Sequence, residues 1–248
     1  FMKPEGRSKA AENLRSRRVR NLIVLGGDGS YRGAHLLCSE HPDINVVGVP
    51  CTIDNDIHGT DYTIGYDTAV NVAMDAVDKI RDTAASHDRL FVVEVMGRHA
   101  GHIALEVALA CGAEEALLPE ITEDLDNLAV RLAEGRKTGK TSSIIIVAEG
   151  ETQGSAHEIA DMLKKHTHYD VRVSILGYIQ RGGTPTAADR VLASRLGAAA
   201  VELILDGESN VCVGVENDSV TVHPLPYAWE TRKAIDPERL RVLRMLAI

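Results

Sequence analysis

No stretch of this 248-residue chain is apolar for long enough to cross a membrane, and no signal peptide is legible, so a membrane-spanning or exported protein is not expected. Cysteine is sparse. Cys38, Cys51, Cys111 and Cys212 are scattered and form no Cys-x-x-Cys pair, the usage of a reducing cytosol. Basic residues are outnumbered, 27 Lys and Arg against 36 Asp and Glu, and the resulting charge of −9 argues against a nucleic-acid surface. The ten histidines do not fall in metal-ligand spacing. His99 and His102 flank a glycine-containing turn, and His166 and His168 lie one residue apart before a strand, so both pairs are expected on the surface. No repeat of solenoid period and no low-complexity linker interrupts the chain.

What is present is a β-α alternation. With 44% hydrophobic residues the chain can bury a sizeable core, in one large or two small domains. Short apolar runs read as buried strands at 22–25, 44–49, 90–95, 144–147 and 171–176. Helical spacing appears at 68–81, where Val70, Ala73, Met74, Val77 and Ile80 share a face, and at 103–110, 124–134, 156–165 and 187–205. A short antiparallel pair is expected at 211–215 and 220–223, and a closing helix at 237–246 with Asp236 as N-cap and Pro237 at its first position. The alternation means α/β with a mostly parallel sheet. A helical segment at 5–18 precedes the first strand, whereas a doubly wound domain opens on a strand; a missing front strand is therefore expected.

Ligands in such folds sit beyond the carboxyl ends of the strands, and the polar motifs fall there. Gly26-Gly27-Asp28-Gly29-Ser30 follows the first strand and precedes a helix expected from Tyr31 or Arg32. Glycines let the backbone approach a phosphate, with amides exposed at a helix N-terminus. Asp28 would repel that phosphate unless Mg²⁺ lies between them. After the second strand, Pro50-Cys51-Thr52-Ile53-Asp54-Asn55-Asp56 packs a hydroxyl, two acids and a carboxamide into five positions. Alone it reads equally as an Asx-rich turn. Carboxylates this close repel, so one can become basic while the other holds a metal, as proton abstraction beside a metal-bound phosphate requires. Arg89, Arg98, Arg172 and Arg181 stand at strand edges or in glycine-flanked turns. Singly, each reads as a surface ion pair. Four together are suited to gripping phosphate oxygens.

These two motifs occur in order with Met96-Gly97-Arg98 and Leu176-Gly177-Tyr178-Ile179-Gln180-Arg181-Gly182-Gly183, and together the four resemble 6-phosphofructokinases of the bacterial, ATP-dependent type over essentially the whole chain. The resemblance implies phosphoryl transfer from ATP to the 1-hydroxyl of fructose 6-phosphate, in glycolysis. It implies two lobes, each a mostly parallel sheet flanked by helices. The nucleotide and Mg²⁺ lobe would take residues 1–65 and 180–230, the sugar-phosphate lobe 66–179, with 231–248 closing onto the latter. It also implies that the first strand and the glycine-rich loop over the nucleotide are missing, leaving this chain weakly active or inactive by itself.

By the same resemblance, Asp54 is the general base, Thr52 a donor to the transferring phosphoryl group, and Arg98 the charge that stabilises the transition state. Gly27, Gly29 and Ser30 receive the nucleotide phosphates, and Asp28 and Asp56 serve Mg²⁺. Met96, Gly97, Glu149, Tyr178 and Arg181 contact the sugar phosphate. Arg89 and Arg172 reach across a subunit interface, which implies a homo-oligomer, a homotetramer in this family type, with shared active sites. Arg81, Glu114 and Lys140 match an effector site, although Thr138 replaces a common Lys. Members using pyrophosphate tend to carry Asp at the place of Gly29 and Lys at that of Cys51, so ATP is favoured. Cys51 and Tyr178 depart from the Gly and His common in bacterial members. A pyrophosphate-dependent enzyme and a non-catalytic sugar-phosphate-binding subunit are the alternatives. A cytoplasmic location is expected, with neither nucleic acid nor membrane as a partner.

Overall fold

The computed structural model describes residues 1, 3–84, 89–137, 143–167 and 169–247. In chain order the elements are α1 (Pro4–Ser16), β1 (Asn21–Gly26), α2 (Asp28–Glu40), β2 (Asn45–Pro50), α3 (Tyr66–Ala84), β3 (Arg89–Val95), α4 (His102–Cys111), β4 (Glu115–Leu117), α5 (Leu125–Lys137) and β5 (Ser143–Ala148). They continue as α6 (Ala156–His166), β6 (Asp170–Ile175), a 3-10 turn (Gly177–Arg181), α7 (Ala187–Leu205), β7 (Val211–Glu216), β8 (Ser219–Pro224), α8 (Tyr227–Glu230) and α9 (Pro237–Leu246). The α/β architecture with parallel sheets flanked by helices is the one expected. The chain divides into two compact units, Phe1–Asp67 with Pro185–Lys233, and Thr68–Thr184 with Ala234–Ile248.

The first unit holds a sheet in the order β1-β2-β7-β8. Strands β1, β2 and β7 run parallel, and β8 pairs antiparallel with β7 along its whole length. Central β2 is buried from Val46 to Pro50, as a run of Val-Val-Gly-Val covered on both faces must be. Edge strand β1 is less covered, and Leu25 is 65% exposed. Tyr31, Leu37, Ile44 and Val46 pack on one side of this sheet, and Val47, Val49, Leu196 and Val213 on the other.

The second unit holds an all-parallel sheet in the order β4-β5-β3-β6. Every residue of β5 is buried. Leu90, Val92, Ile145 and Val147 meet Leu128, Leu132, Ile159 and Leu163 of α5 and α6. Helix α6 is fixed by a capping box, the Ser155 hydroxyl accepting from Glu158 N while the Glu158 carboxylate accepts from Ser155 N. At the other end of the chain Asp236 caps α9 and Pro237 stands at its first position, as expected.

Besides the five-residue 3-10 turn, two elements escaped the sequence, and each has a physical reason. Strand β4 has three residues, too few for a periodic signal, and α8 is a single turn of four. His102 corrects an expectation: it is buried, because α4 is covered on nearly all sides and starts at that residue. His99 and His166 are exposed as expected; His168 lies outside the described residues.

Strand β4 also buries a charge. Glu115 is 1% exposed; its Oε2 accepts from Arg131 Nη2 of α5 at 2.7 Å, and its Oε1 accepts from Ala116 N at 3.1 Å. Arg131 also faces Glu123, which in turn takes Arg244 of α9 at 2.6 Å. Removing one partner of a buried pair leaves a charge without compensation. Arg131→Met is therefore expected to cost about 2 kcal/mol, less than for a fully buried pair because Arg131 itself is 38% exposed. Calorimetric melting checks this: the midpoint should fall by several degrees, and Glu115→Gln added to Arg131→Met should recover part of it.

Candidate active site

In the first unit two loops meet at the carboxyl ends of β1 and β2. Cys51 N donates to Gly26 O at 3.0 Å, which joins the glycine turn to the acidic loop. A Cβ on Gly26 would stand 2.5 Å from the Ser30 Cβ, and one on Gly27 would stand 3.3 Å from the Thr52 Cβ, so the chain's own packing keeps both positions bare. Gly29 is different: a Cβ there meets nothing within 4 Å. Its side of the turn is open.

Helix α2 starts at Asp28 with Gly27 as N-cap, three or four residues earlier than expected. Ser30 N and Tyr31 N already bond to Gly27 O at 3.0 and 3.1 Å. An acid in the first helical turn is favoured by the helix dipole, which outweighs the poor propensity of Gly29. Asp28 and Gly29 therefore open the first turn, where N–H groups have no intrahelical acceptor, while Ser30 N is already taken by Gly27 O. Asp28 Oδ1 accepts from Arg32 Nε at 2.5 Å, and the Arg32 guanidinium lies 5.0 Å from the Trp229 ring centre.

The acidic loop is held by its uncharged residues. Thr63 Oγ1 donates at 2.6 Å to Thr52 O and lies 3.3 Å from Asn55 Oδ1; Asn55 Nδ2 donates to Asp61 O at 3.2 Å. Asn55 adopts a left-handed backbone, φ 52°, which Asn tolerates better than most residues. Ile64 N returns to Pro50 O at 2.9 Å, and Gly65 N donates to buried Asp189 of α7 at 2.8 Å. This network holds a buried Asp54 (5% exposed) and a half-buried Asp56. Thr52 Oγ1 accepts from Asp54 N at 3.3 Å, which leaves its hydroxyl proton to donate elsewhere. Cys51 is exposed, but desolvation of its sulfur and the nearby Asp189 carboxylate push the thiol pKa up, which keeps it protonated.

Among the described residues no group of three or more His, Cys, Asp or Glu converges on a metal position. Half-exposed Asp28 and half-buried Asp56 are donors of the kind Mg²⁺ takes, one or two carboxylates alongside waters and phosphate oxygens.

In the second unit the carboxyl ends of β3 and β5 and the turn after β6 carry the other candidates. Glu149 N donates to Val95 O at 2.9 Å, and Glu149 Oε2 accepts from Arg98 N at 3.2 Å. Arg98 is left-handed at φ 53° and follows Gly97 at φ 150°, a pair of uncommon conformations that the surroundings must hold. Gly150 is part of that support: a Cβ there would lie 1.8 Å from Arg98 O. Met96 is buried, and its N donates to Gln180 Oε1 at 2.8 Å. The 3-10 turn presents Tyr178, 82% exposed, with Arg181 Cζ 5.9 Å from its ring centre. The return to the first unit comes at Pro185, so Gln180 and Arg181 stay with Met96, Arg98 and Glu149.

Arg89 and Arg172 are brought together, but away from that group. Both donate to Asp170 Oδ2, Arg89 Nε at 3.2 Å and Arg172 Nε and Nη2 at 3.1 and 2.9 Å. Hydrogen bonds from Arg172 and then Arg89 hold the Asp170 carboxyl below its ordinary range. Arg89 opens β3 and Met96 follows its end, which at about 3.3 Å per residue puts them roughly 20 Å apart. Arg81 donates to the carbonyls of Cys111 and Gly112, a cap on the end of α4. Glu114 N bonds to Ile144 O at 2.8 Å; Thr138 and Lys140 lie outside the described residues. Gln180, Gly150 and Asp170 were not picked out from sequence. Gln180 stands inside the Leu176–Gly183 run and Gly150 follows Glu149, but only packing distinguishes them.

The phosphofructokinase family profile matches residues 1–204. Over its full length the chain is 52% identical to the ATP-dependent 6-phosphofructokinase 1 of Thermus thermophilus, covering 77% of that protein. It is also 52% identical to the ATP-dependent 6-phosphofructokinase of Bacillus subtilis, covering 76%. Among solved structures, phosphofructokinase from Saccharomyces cerevisiae is similar at 37% identity with a TM-score of 0.86, over 92% of this chain and 35% of that longer one. A pyrophosphate-dependent phosphofructokinase from Marinobacter aquaeolei, 24% identical with a TM-score of 0.81 over 98% of this chain and 71% of its own, shares the fold.

Proposed function

The chain belongs to the phosphofructokinase family, and from that premise we propose that it transfers a phosphoryl group from ATP to the 1-hydroxyl of fructose 6-phosphate, giving fructose 1,6-bisphosphate in glycolysis. The observation that carries this is the joining of the glycine turn to the Thr52-Asp54-Asp56 loop at neighbouring strand ends, in a chain half identical to named ATP-dependent enzymes.

Asp54 takes the proton of the attacking hydroxyl as general base. The Thr52 hydroxyl donates to the transferring phosphoryl group, and Arg98 offsets the charge that builds on it. Gly27, Gly29 and Ser30, at the start of α2, receive the donor's phosphates. The open space at Gly29 leaves room for the nucleotide, which supports ATP over pyrophosphate. Asp28 and Asp56 would hold Mg²⁺, which when bound neutralises charge on the donor phosphates. Glu149, Met96 and Gly97 orient the sugar, and Tyr178 and Arg181 its phosphate. Arg89, at the opposite end of β3, and Arg172, the third residue of β6, serve the site of a second subunit in a homo-oligomer. An effector role for Arg81 and Glu114 has less support, since Arg81 already caps α4. We place the enzyme in the cytoplasm.

The test is a coupled assay for fructose 1,6-bisphosphate with either donor, run on this chain and on one extended at its front to the length of its relatives, the extended chain deciding the outcome. Turnover with ATP and not with pyrophosphate is the expected result. Turnover with pyrophosphate alone would overturn the donor assignment, and binding of fructose 6-phosphate without turnover from either donor would leave a sugar-phosphate-binding subunit.

A further inference from the structure

We propose that Gln180 is a positioning residue that locks the Met96–Arg98 loop to the turn bearing Tyr178 and Arg181, so that both present to fructose 6-phosphate as one rigid surface. The inference rests on the sugar-phosphate reading of these two segments.

Three observations carry it. Gln180 is 1% exposed, whereas its neighbours Tyr178 and Ile179 are 82% and 57% exposed, so the 3-10 turn is anchored through this side chain. Its Oε1 accepts from Met96 N at 2.8 Å, a buried bond between residues 84 apart in sequence. That amide immediately precedes Gly97 and Arg98, the two left-handed residues, where the backbone is least able to hold itself. No described group accepts from Gln180 Nε2, which is also buried. The side chain thus meets one buried backbone donor with its oxygen while its own amide hydrogens are left idle. The arrangement is explained if the acceptor oxygen at that point is what matters.

Gln180→Met keeps length and bulk but removes the acceptor, leaving the Met96 N–H buried without a partner. The dissociation constant of fructose 6-phosphate, measured by titration calorimetry, is expected to rise about tenfold. KM for fructose 6-phosphate should follow it, while KM for ATP should stay within twofold. Gln180→Glu retains an acceptor oxygen at the same reach and is expected to restore most of the sugar affinity. Unchanged sugar affinity in Gln180→Met would overturn the proposal. So would a loss equal in both variants and accompanied by an equal fall in melting temperature, because that would mark a purely structural role. Failure of the unsubstituted chain to bind fructose 6-phosphate would instead overturn the functional reading beneath it.

Discussion

Asp54→Asn is expected to lower kcat by about 10³-fold while leaving KM for fructose 6-phosphate and the melting temperature nearly unchanged. The carboxamide fills the same buried position but has no basic oxygen to take the hydroxyl proton. A fall in kcat without a change in KM or melting distinguishes lost proton transfer from a disturbed loop. Asp56→Asn supplies the contrast. Half-buried Asp56 is proposed to serve the metal, so its variant should need more Mg²⁺ for half-maximal rate and keep most of kcat at saturating Mg²⁺. Steady-state kinetics across Mg²⁺ concentration check both. A kcat within threefold of normal in Asp54→Asn would remove Asp54 from the role.

Gly150→Ala should be nearly as damaging, from a residue that does no chemistry. The added methyl would stand 1.8 Å from Arg98 O and 2.8 Å from Arg98 C, and backbone cannot swing aside as the end of a flexible side chain can. The loop must shift by an ångström or more, carrying away the Arg98 N–H that donates to Glu149. If Arg98 acts as proposed, a displacement of that size costs about 10²-fold in kcat, and overpacking a tight site costs about 1–3 kcal/mol of stability. Gly29→Ala is the matched control: its methyl meets nothing within 4 Å, so melting should be unaffected while KM for ATP rises. Kinetics and melting of the two variants side by side decide the matter. Normal kcat and melting in Gly150→Ala would show that the close approach is not needed.

Much of the fold was legible because its signals are local. Central strands such as β5 read as unbroken apolar runs since both faces are covered, and Asp236-Pro237 marks a helix start whatever surrounds it. The start of α2 was misjudged for a related reason. A Gly-Asp-Gly-Ser turn has weak helix propensity, and the bonds to Gly27 O that make it helical are visible only in three dimensions. His102 was misjudged because two histidines beside a glycine turn look exposed until α4 is seen to be covered.

The candidate chemistry divides in the same way. Residue types and spacing by themselves determined which groups are available: Asp54 and Asp56 in one loop, Asp28 in a glycine turn, and arginines at strand ends. Functional groups are a property of composition and order, so no folding was needed to list them. Tertiary structure alone decided which of them are held, and by what. Gln180 reaches Met96 across 84 residues, Gly150 yields its Cβ space to Arg98, and Asp170 takes both Arg89 and Arg172. Such support depends on contacts between segments far apart in the chain, and those distances exist only once the sheets have formed.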